Sequence, residues 1–186
     1  MARAEFLIVG LSPLLCNSPQ SMFAAAGAKA AKGKQIPTPA EEAELGTYRN
    51  EDGSFMFPVI GPRNALLVAS KNYKAKGKRG SVFGDLAHIQ PETEYAAILN
   101  GDGGPAKSYT KDTRRVVVQR NGVLRTRPRF ENWSLRFGLL YDSELIKDPE
   151  TLRVIMDDAG NRIGIGDYRP AKWGWFGRFK VKELLT

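Results

Sequence analysis

From Trp133 to Tyr141 the chain reads W-S-L-R-F-G-L-L-Y, with Trp133, Leu135, Phe137, Leu139 and Tyr141 at every second position. Ser134, Arg136 and Gly138 stand at alternate places. A period of two held this long admits one regular structure, a strand buried on one face and open on the other. Such a strand needs neighbours, and the chain supplies them. Glu5–Leu11 (E-F-L-I-V-G-L) is a short apolar run suited to a buried central strand that stops at Ser12-Pro13. Tyr95–Leu99 is a further strand, and Phe176–Leu184 a last one, with Phe179 and Val181 opposite Arg178, Lys180 and Lys182.

Helices fall between these strands. Gly61-Pro62 opens one through about Lys74, with Ala65, Leu66, Val68 and Ala69 on its apolar side. Asp148-Pro149-Glu150 caps a second, in which Leu152, Ile155 and Met156 form the buried stripe and Gly160 the end. The order strand, helix, strand, strand, helix, strand predicts an α+β, ferredoxin-like (RRM-like) antiparallel sheet with both helices on one face. The other face is left for a ligand or partner.

Residues 1–186 then form a single domain with insertions at about 13–60 and 76–112. Within them, Thr38-Pro39-Ala40-Glu41 is a capping box that opens a short helix to about Leu45. Ala24–Lys34 carries a weak helical pattern, and Ser54–Pro58 is a brief strand after an Asp52-Gly53 turn. Arg115–Gln119 and Val123–Thr126 read as a hairpin closed by Asn121-Gly122.

One cysteine, Cys16, and one histidine, His88, exclude an internal disulfide and most zinc or iron centres, so neither a metal nor a cofactor is expected. No apolar run is long enough to span a bilayer, and no leader precedes the first strand, so a soluble, cytoplasmic protein is expected. The net charge of +8 favours a polyanionic partner.

That charge is polarised. Arg63–Arg79 holds Lys71, Lys74, Lys76, Lys78 and Arg79 and no acid, and Lys107–Arg136 carries nine basic residues against Asp112 and Glu131. Arg114, Arg115, Arg125, Arg127 and Arg129 of the second cluster suit bidentate phosphate contacts. Near the C-terminus, Gly164, Gly166, Gly174 and Gly177 are interleaved with Tyr168, Trp173, Trp175 and Phe176 and with Arg169, Lys172 and Arg178. Glycine N–H groups can cradle a phosphate, and aromatics beside cations can stack the bases of a single strand. Equally, the glycines can bend a loop whose aromatics pack on the sheet.

This segment resembles the glycine-rich loop of the RAMP superfamily, the ferredoxin-like RNA-binding proteins of CRISPR systems. Phe57-Pro58-Val59-Ile60-Gly61-Pro62-Arg63-Asn64-Ala65-Leu66 is similar to the segment at the family's first helix, and Leu7–Leu15 to its opening strand and loop. The chain most resembles the backbone subunits of CRISPR effectors, which line up along a guide RNA. Its Pro128-Arg129-Phe130 and Gly164-Ile165-Gly166-Asp167 tail also resembles that of small phage and prophage proteins.

The resemblance implies a non-catalytic protein that binds single-stranded RNA or DNA, RNA ahead of DNA, and assembles head to tail as a homo-oligomer or filament. Two other readings stand beside it. One is a phage anti-defence or interaction protein that docks on a host protein or sequesters a small nucleotide. The other is an RNA endonuclease built on His88 or Asp52. RAMP members that process guide RNA carry a histidine near the first helix, and His88 lies well beyond it. Asp167 is expected to order its loop or pair with an arginine, and Cys16 to pack as a small core or loop residue.

Overall fold

The computed structural model describes residues 1–21, 37–74, 79–118 and 120–186. The pattern at Ala24–Lys34 and the cations Lys76 and Lys78 lie outside the described residues.

Strand β1 (Ala2–Gly10) lies at the heart of the main sheet and pairs antiparallel on both sides. One neighbour is β8 (Ser134–Tyr141) and the other β9 (Phe179–Leu185). Beyond β8 come β5 (Tyr95–Leu99), the two-residue β4 (Gln90–Pro91) along the same edge, and then β3 (Met56–Pro58). The register sets Ala4, Phe6 and Ile8 opposite Leu139, Phe137 and Leu135, so the two alternating patterns meet on one face. The Phe6 and Phe137 rings stack at 5.7 Å. All six side chains, with Trp133 and Tyr141, are buried.

That face is covered by helix α2 (Ile60–Ser70) and helix α4 (Glu150–Arg162), which pack on one another. Ala65, Leu66 and Ala69 of α2 and Leu152, Ile155, Met156 and Ala159 of α4 close the core. The core strand order β9-β1-β8-β5, with these two helices, is the ferredoxin-like arrangement. Helix α3 (Phe83–Leu86) buries Leu86 beside α2. Among the described residues no helix is long and apolar enough to cross a membrane.

A second, three-stranded sheet stands apart from the first. It consists of β2 (Leu14–Leu15), β7 (Asn121–Phe130) and β6 (Thr110–Val118), in the order β2-β7-β6. The second insertion therefore extends past residue 112, because the whole hairpin to Phe130 lies outside the core sheet. Pro128 lies in β7, the middle strand of this sheet; it has no N–H to donate, and its carbonyl accepts from Cys16 N at 3.1 Å. Helix α1 (Pro39–Leu45) packs on β7 and has the expected capping box, with Thr38 and Glu41 bonded reciprocally. Cys16 is buried, and burial pushes its thiol pKa far up.

Three local expectations are corrected. Helix α2 ends at Ser70, whose hydroxyl bonds back to Leu67 O at 2.8 Å, and Lys74 instead bridges Ser81. The hairpin turns two residues early: Val118 pairs with Asn121, Val117 with Gly122, and Arg120 takes φ +68° in the turn. Gly160 lies inside α4 instead of ending it. A Cβ there would run into the Phe179 carbonyl, so the glycine sets how closely α4 approaches β9.

Gly160→Ala should therefore destabilise by about 1–3 kcal/mol with an unchanged denaturant slope. Gly84→Ala, with open space around it, should not. A second outcome concerns acid. The Arg162 hydrogen bond, aided by Tyr73, holds the Asp158 carboxyl below its usual range, with partial burial opposing. A pKa lowered by folding adds stability that is present above the unfolded value and lost as pH falls through the folded one. Denaturation curves should weaken below about pH 4, and less steeply in Asp158→Asn.

Candidate nucleic-acid interface

The segment between α4 and β9 is folded tightly on itself. Gly164, at φ +68°, closes α4 by donating its N–H to Ala159 O at 2.9 Å. Ile165 N then bonds Gly177 O, and Phe176 N bonds Tyr168 O. Two further bonds tie the loop to the chain after β1: Asp167 N to Leu15 O at 2.9 Å and Gly177 N to Pro13 O at 2.8 Å. A Cβ at Gly174 would run into the Tyr168 carbonyl, and one at Gly177 into that of Ile165.

The expected phosphate cradle is thus corrected, because the loop uses its glycines internally. The N–H groups of Gly164, Gly174 and Gly177 all have backbone partners. Gly166 lies against the Leu15 carbonyl, and its own carbonyl accepts from Arg169 at 2.9 Å.

On the hairpin, Arg125, Arg127 and Arg129 fall two residues apart on one face of β7, with Asp112 and Arg114 across from them on β6. This face packs on the loop. Phe176, fully buried, lies beneath the guanidinium groups of Arg114 and Arg129, at 4.7 and 5.7 Å from its ring centre. Arg127 lies 5.7 Å from the Tyr168 ring centre and pairs with Asp167. The expected pairing of Asp167 with an arginine is found.

Four arginines expected to hold phosphates have protein carboxylates as partners instead. Arg114 bonds Asp112 at 2.5 and 3.0 Å, a contact that keeps the guanidinium firmly charged. Arg125 meets Glu42 at 2.8 Å, and the other Glu42 oxygen accepts from Thr126 N at 2.9 Å. Arg129 contacts Glu131 at 2.7 Å and Asp112 at 3.6 Å. The face is locally neutralised, and its ion pairs and ring contacts clamp the loop to the hairpin.

The remaining candidates divide by position. Arg169 and Arg178 bond within the loop region, Arg178 reaching Asn161. Lys71 follows α2 and lies 5.1 Å from the Phe83 ring centre, with exposed Lys74 and Arg79 nearby in sequence; this group belongs to the helical layer. Arg115 is exposed on the hairpin, packed along Gly122. Lys172 is exposed in the 3-10 turn Pro170–Lys172, next to Trp173.

Trp173 stands wholly in solvent, at 101% relative exposure, and its backbone is left-handed at φ +61°. Its N–H bonds Pro170 O at 3.0 Å, and the next N–H bonds Arg169 O. Trp175, half-exposed, packs on Phe176 with ring centres 4.3 Å apart. Among the described residues the two most exposed aromatic side chains are therefore in this loop. The free face of the main sheet instead carries an ion-pair chain of Arg3, Glu5, Arg136 and Glu183. Hydrogen bonds from Arg136 and then Arg3 hold the Glu5 carboxyl below its usual range.

His88 is exposed. The Asp52 carboxylate accepts from both Ser54 N and Ser54 Oγ, which orders its turn. Among the described residues no three His, Cys, Asp or Glu side chains gather as metal ligands. The hubs missed in the sequence are Glu42 and Asp112. Glu42 is 83 residues from Arg125, a separation that no local pattern bridges.

No protein-family model and no curated protein matches the chain. Among solved structures, it is similar to a chain of the Type III-B Cmr-beta complex bound to cognate target RNA and AMPPnP, determined by cryo-EM. The match has 13% identity and a TM-score of 0.25, covers 100% of this chain, and spans 62% of that one. A likeness this slight carries no functional argument.

Removing the Asp167 carboxylate would leave Arg127, whose side chain is only 13% exposed, without its counter-charge. Asp167→Ala should cost about 1–3 kcal/mol in urea denaturation and speed amide exchange at Ile165 and Gly177. Lys172→Ala should change neither. Unaltered exchange in Asp167→Ala would remove the clamp from the account.

Proposed function

We propose that the chain is a non-catalytic, RAMP-like protein that binds single-stranded nucleic acid, RNA ahead of DNA, with Trp173 and Trp175 as stacking platforms and Lys172 beside them on the phosphates. The observation that carries this reading is Trp173. Leaving an indole of roughly 150 Å² in water forgoes about 4 kcal/mol of burial at about 25 cal/mol per Å². A left-handed, non-glycine backbone adds strain, and such strain collects at functional sites. A stacked base would cover the ring whatever its identity.

The arginine clamp changes the expected role of charge. With Arg114, Arg125, Arg127 and Arg129 matched to carboxylates, phosphates fall to the cations without an ion-pair partner among the described residues, Lys172 and Arg115 among them. Head-to-tail assembly along the strand, in the cytoplasm, belongs to the same proposal. Exposed Val117 and Leu124, at 72% and 69% on the outer hairpin, support it as apolar surface of no use to a phosphate. The same two side chains favour the second reading, docking on another protein.

Fluorescence anisotropy with a 20-nucleotide single strand tests the proposal. Trp173→Ala should weaken binding by about 5- to 100-fold, the range of one lost base stack, without lowering stability. The slope of log affinity against log salt should be only about −2, as for roughly three phosphate contacts on a single strand. With a 40-nucleotide strand, light-scattering mass should rise in steps. Wild-type protein that ignores single strands while Trp173→Ala abolishes capture by a protein partner would replace this reading with the second.

A further inference from the structure

A trough of about 520 Å³ opens on the helix-free face of the main sheet. Its volume lies within the range of small-ligand sites. Leu7, Val9 and Leu99 line it with apolar surface, and the turn after β5 forms one wall. That wall is fixed by its own hydrogen bonds, Asn100 N to Gly104 O at 2.8 Å and Gly103 N to Asn100 O at 2.9 Å. Gly103 takes φ +85°.

Three polar side chains in the trough, Asn132, Ser134 and Lys182, have no hydrogen-bond or ion-pair partner among the described residues. Lys182 owes its position to a break in strand pairing. Leu7 pairs with Glu183 and Ile8 with Val181, so Lys182 is an extra residue in β9 with no opposite number in β1. Such a bulge re-aims side chains. Here Glu183 meets Arg136 at 3.1 Å, and both Arg136 and Lys182 line the trough. Arg136 is thereby neutralised, and Lys182 is left as a free cation.

We infer that this trough holds one nucleotide of the bound strand. The inference rests on the single-strand reading above and adds a base-reading subsite to it. The base lies on Leu7, Val9 and Leu99, and its edge is met by the Asn132 amide and the Ser134 hydroxyl. An amide offers both donors and an acceptor, as base-edge recognition requires. Polarity sets the orientation. Asp102 stands on the turn wall, where its carboxylate repels a phosphate, and Lys182 is on β9, three strand spacings or roughly 14 Å across the sheet. The phosphate therefore lies toward Lys182 and the base toward the turn.

Placement agrees with the stacking loop. Leu99 and Ser134 pair at the same end of the sheet where Val9 pairs with Lys180, and the Trp173 loop enters β9 at that end. One strand can run from the indoles onto the sheet.

The test compares wild type, Trp173→Ala, Asn132→Ala and Lys182→Gln, all changes at exposed positions, against homopolymeric 12-nucleotide RNAs of each base and against free AMP and UMP. Wild type should rank the homopolymers unequally, and Asn132→Ala should level the ranking while keeping binding. Lys182→Gln should weaken every homopolymer about 3- to 10-fold and make the salt slope shallower by about 0.7. Trp173→Ala should weaken all four and keep their ranking. If the homopolymers bind but neither Asn132→Ala nor Lys182→Gln alters ranking or slope, the subsite is wrong and the stacking reading stands. If no RNA binds, both fall. Saturable mononucleotide binding that Lys182→Gln abolishes, without RNA binding, overturns the strand as occupant.

Discussion

Arg125, Arg127 and Arg129 on one face of β7, with Arg114 opposite, would repel one another unless carboxylates were interposed. Asp112, Glu42, Asp167 and Glu131 supply them from four different segments of the chain. Asp167 belongs to the glycine loop and Glu42 to α1, so cancelling charge on the hairpin also fixes loop and helix against it. Phe176, buried beneath Arg114 and Arg129, adds apolar contact under the same guanidinium groups. The exposed tryptophans depend on this arrangement. A loop free to move would fold Trp173 down onto apolar surface, whereas one pinned by backbone bonds to Leu15 and Pro13 holds it out.

Much of the fold was legible because it rests on local periodicity. The alternation from Trp133 to Tyr141 and the apolar run of β1 met in the register their patterns imply, and the capping box at Thr38 formed as written. Signals tied to a single residue misled. Gly160 resembled a helix end because glycine is common there, yet its role is to admit the Phe179 backbone, a contact between segments remote in sequence. Asn121-Gly122 resembled a hairpin turn, but the pairing of β6 with β7 places the turn earlier, around Arg120.

The candidate site was half legible. Its residues were marked by composition, and the loop and second basic cluster do come together. Their electrostatic state was not visible, because the neutralising partners lie 83 residues away for Arg125 and 40 for Arg127. A cluster that sums to +7 along the chain gains Glu42 and Asp167 as counter-charges on the hairpin, and Glu5 and Glu183 beside Arg136. The glycines likewise suggested backbone donors for an anion, whereas each donor's availability depends on which carbonyl it meets after folding. Of the first basic group, Lys71, Lys74 and Arg79 lie with the helical layer, so contiguity of charge in sequence did not imply one surface.

The three tryptophans allow the central claim to be tested within one molecule. Trp133 is buried, with its indole N–H bonded to Ser12 O at 2.8 Å, while Trp173 and Trp175 are exposed on the clamped loop. The indole N–H resonances should be followed by NMR while a single-stranded RNA is added. The Trp173 and Trp175 resonances should shift in proportion to occupancy, and further than the resonance of buried Trp133, whose residue lines the trough. If all three remain fixed at saturating RNA, or if Trp133 alone moves, the loop is not the surface that meets the strand.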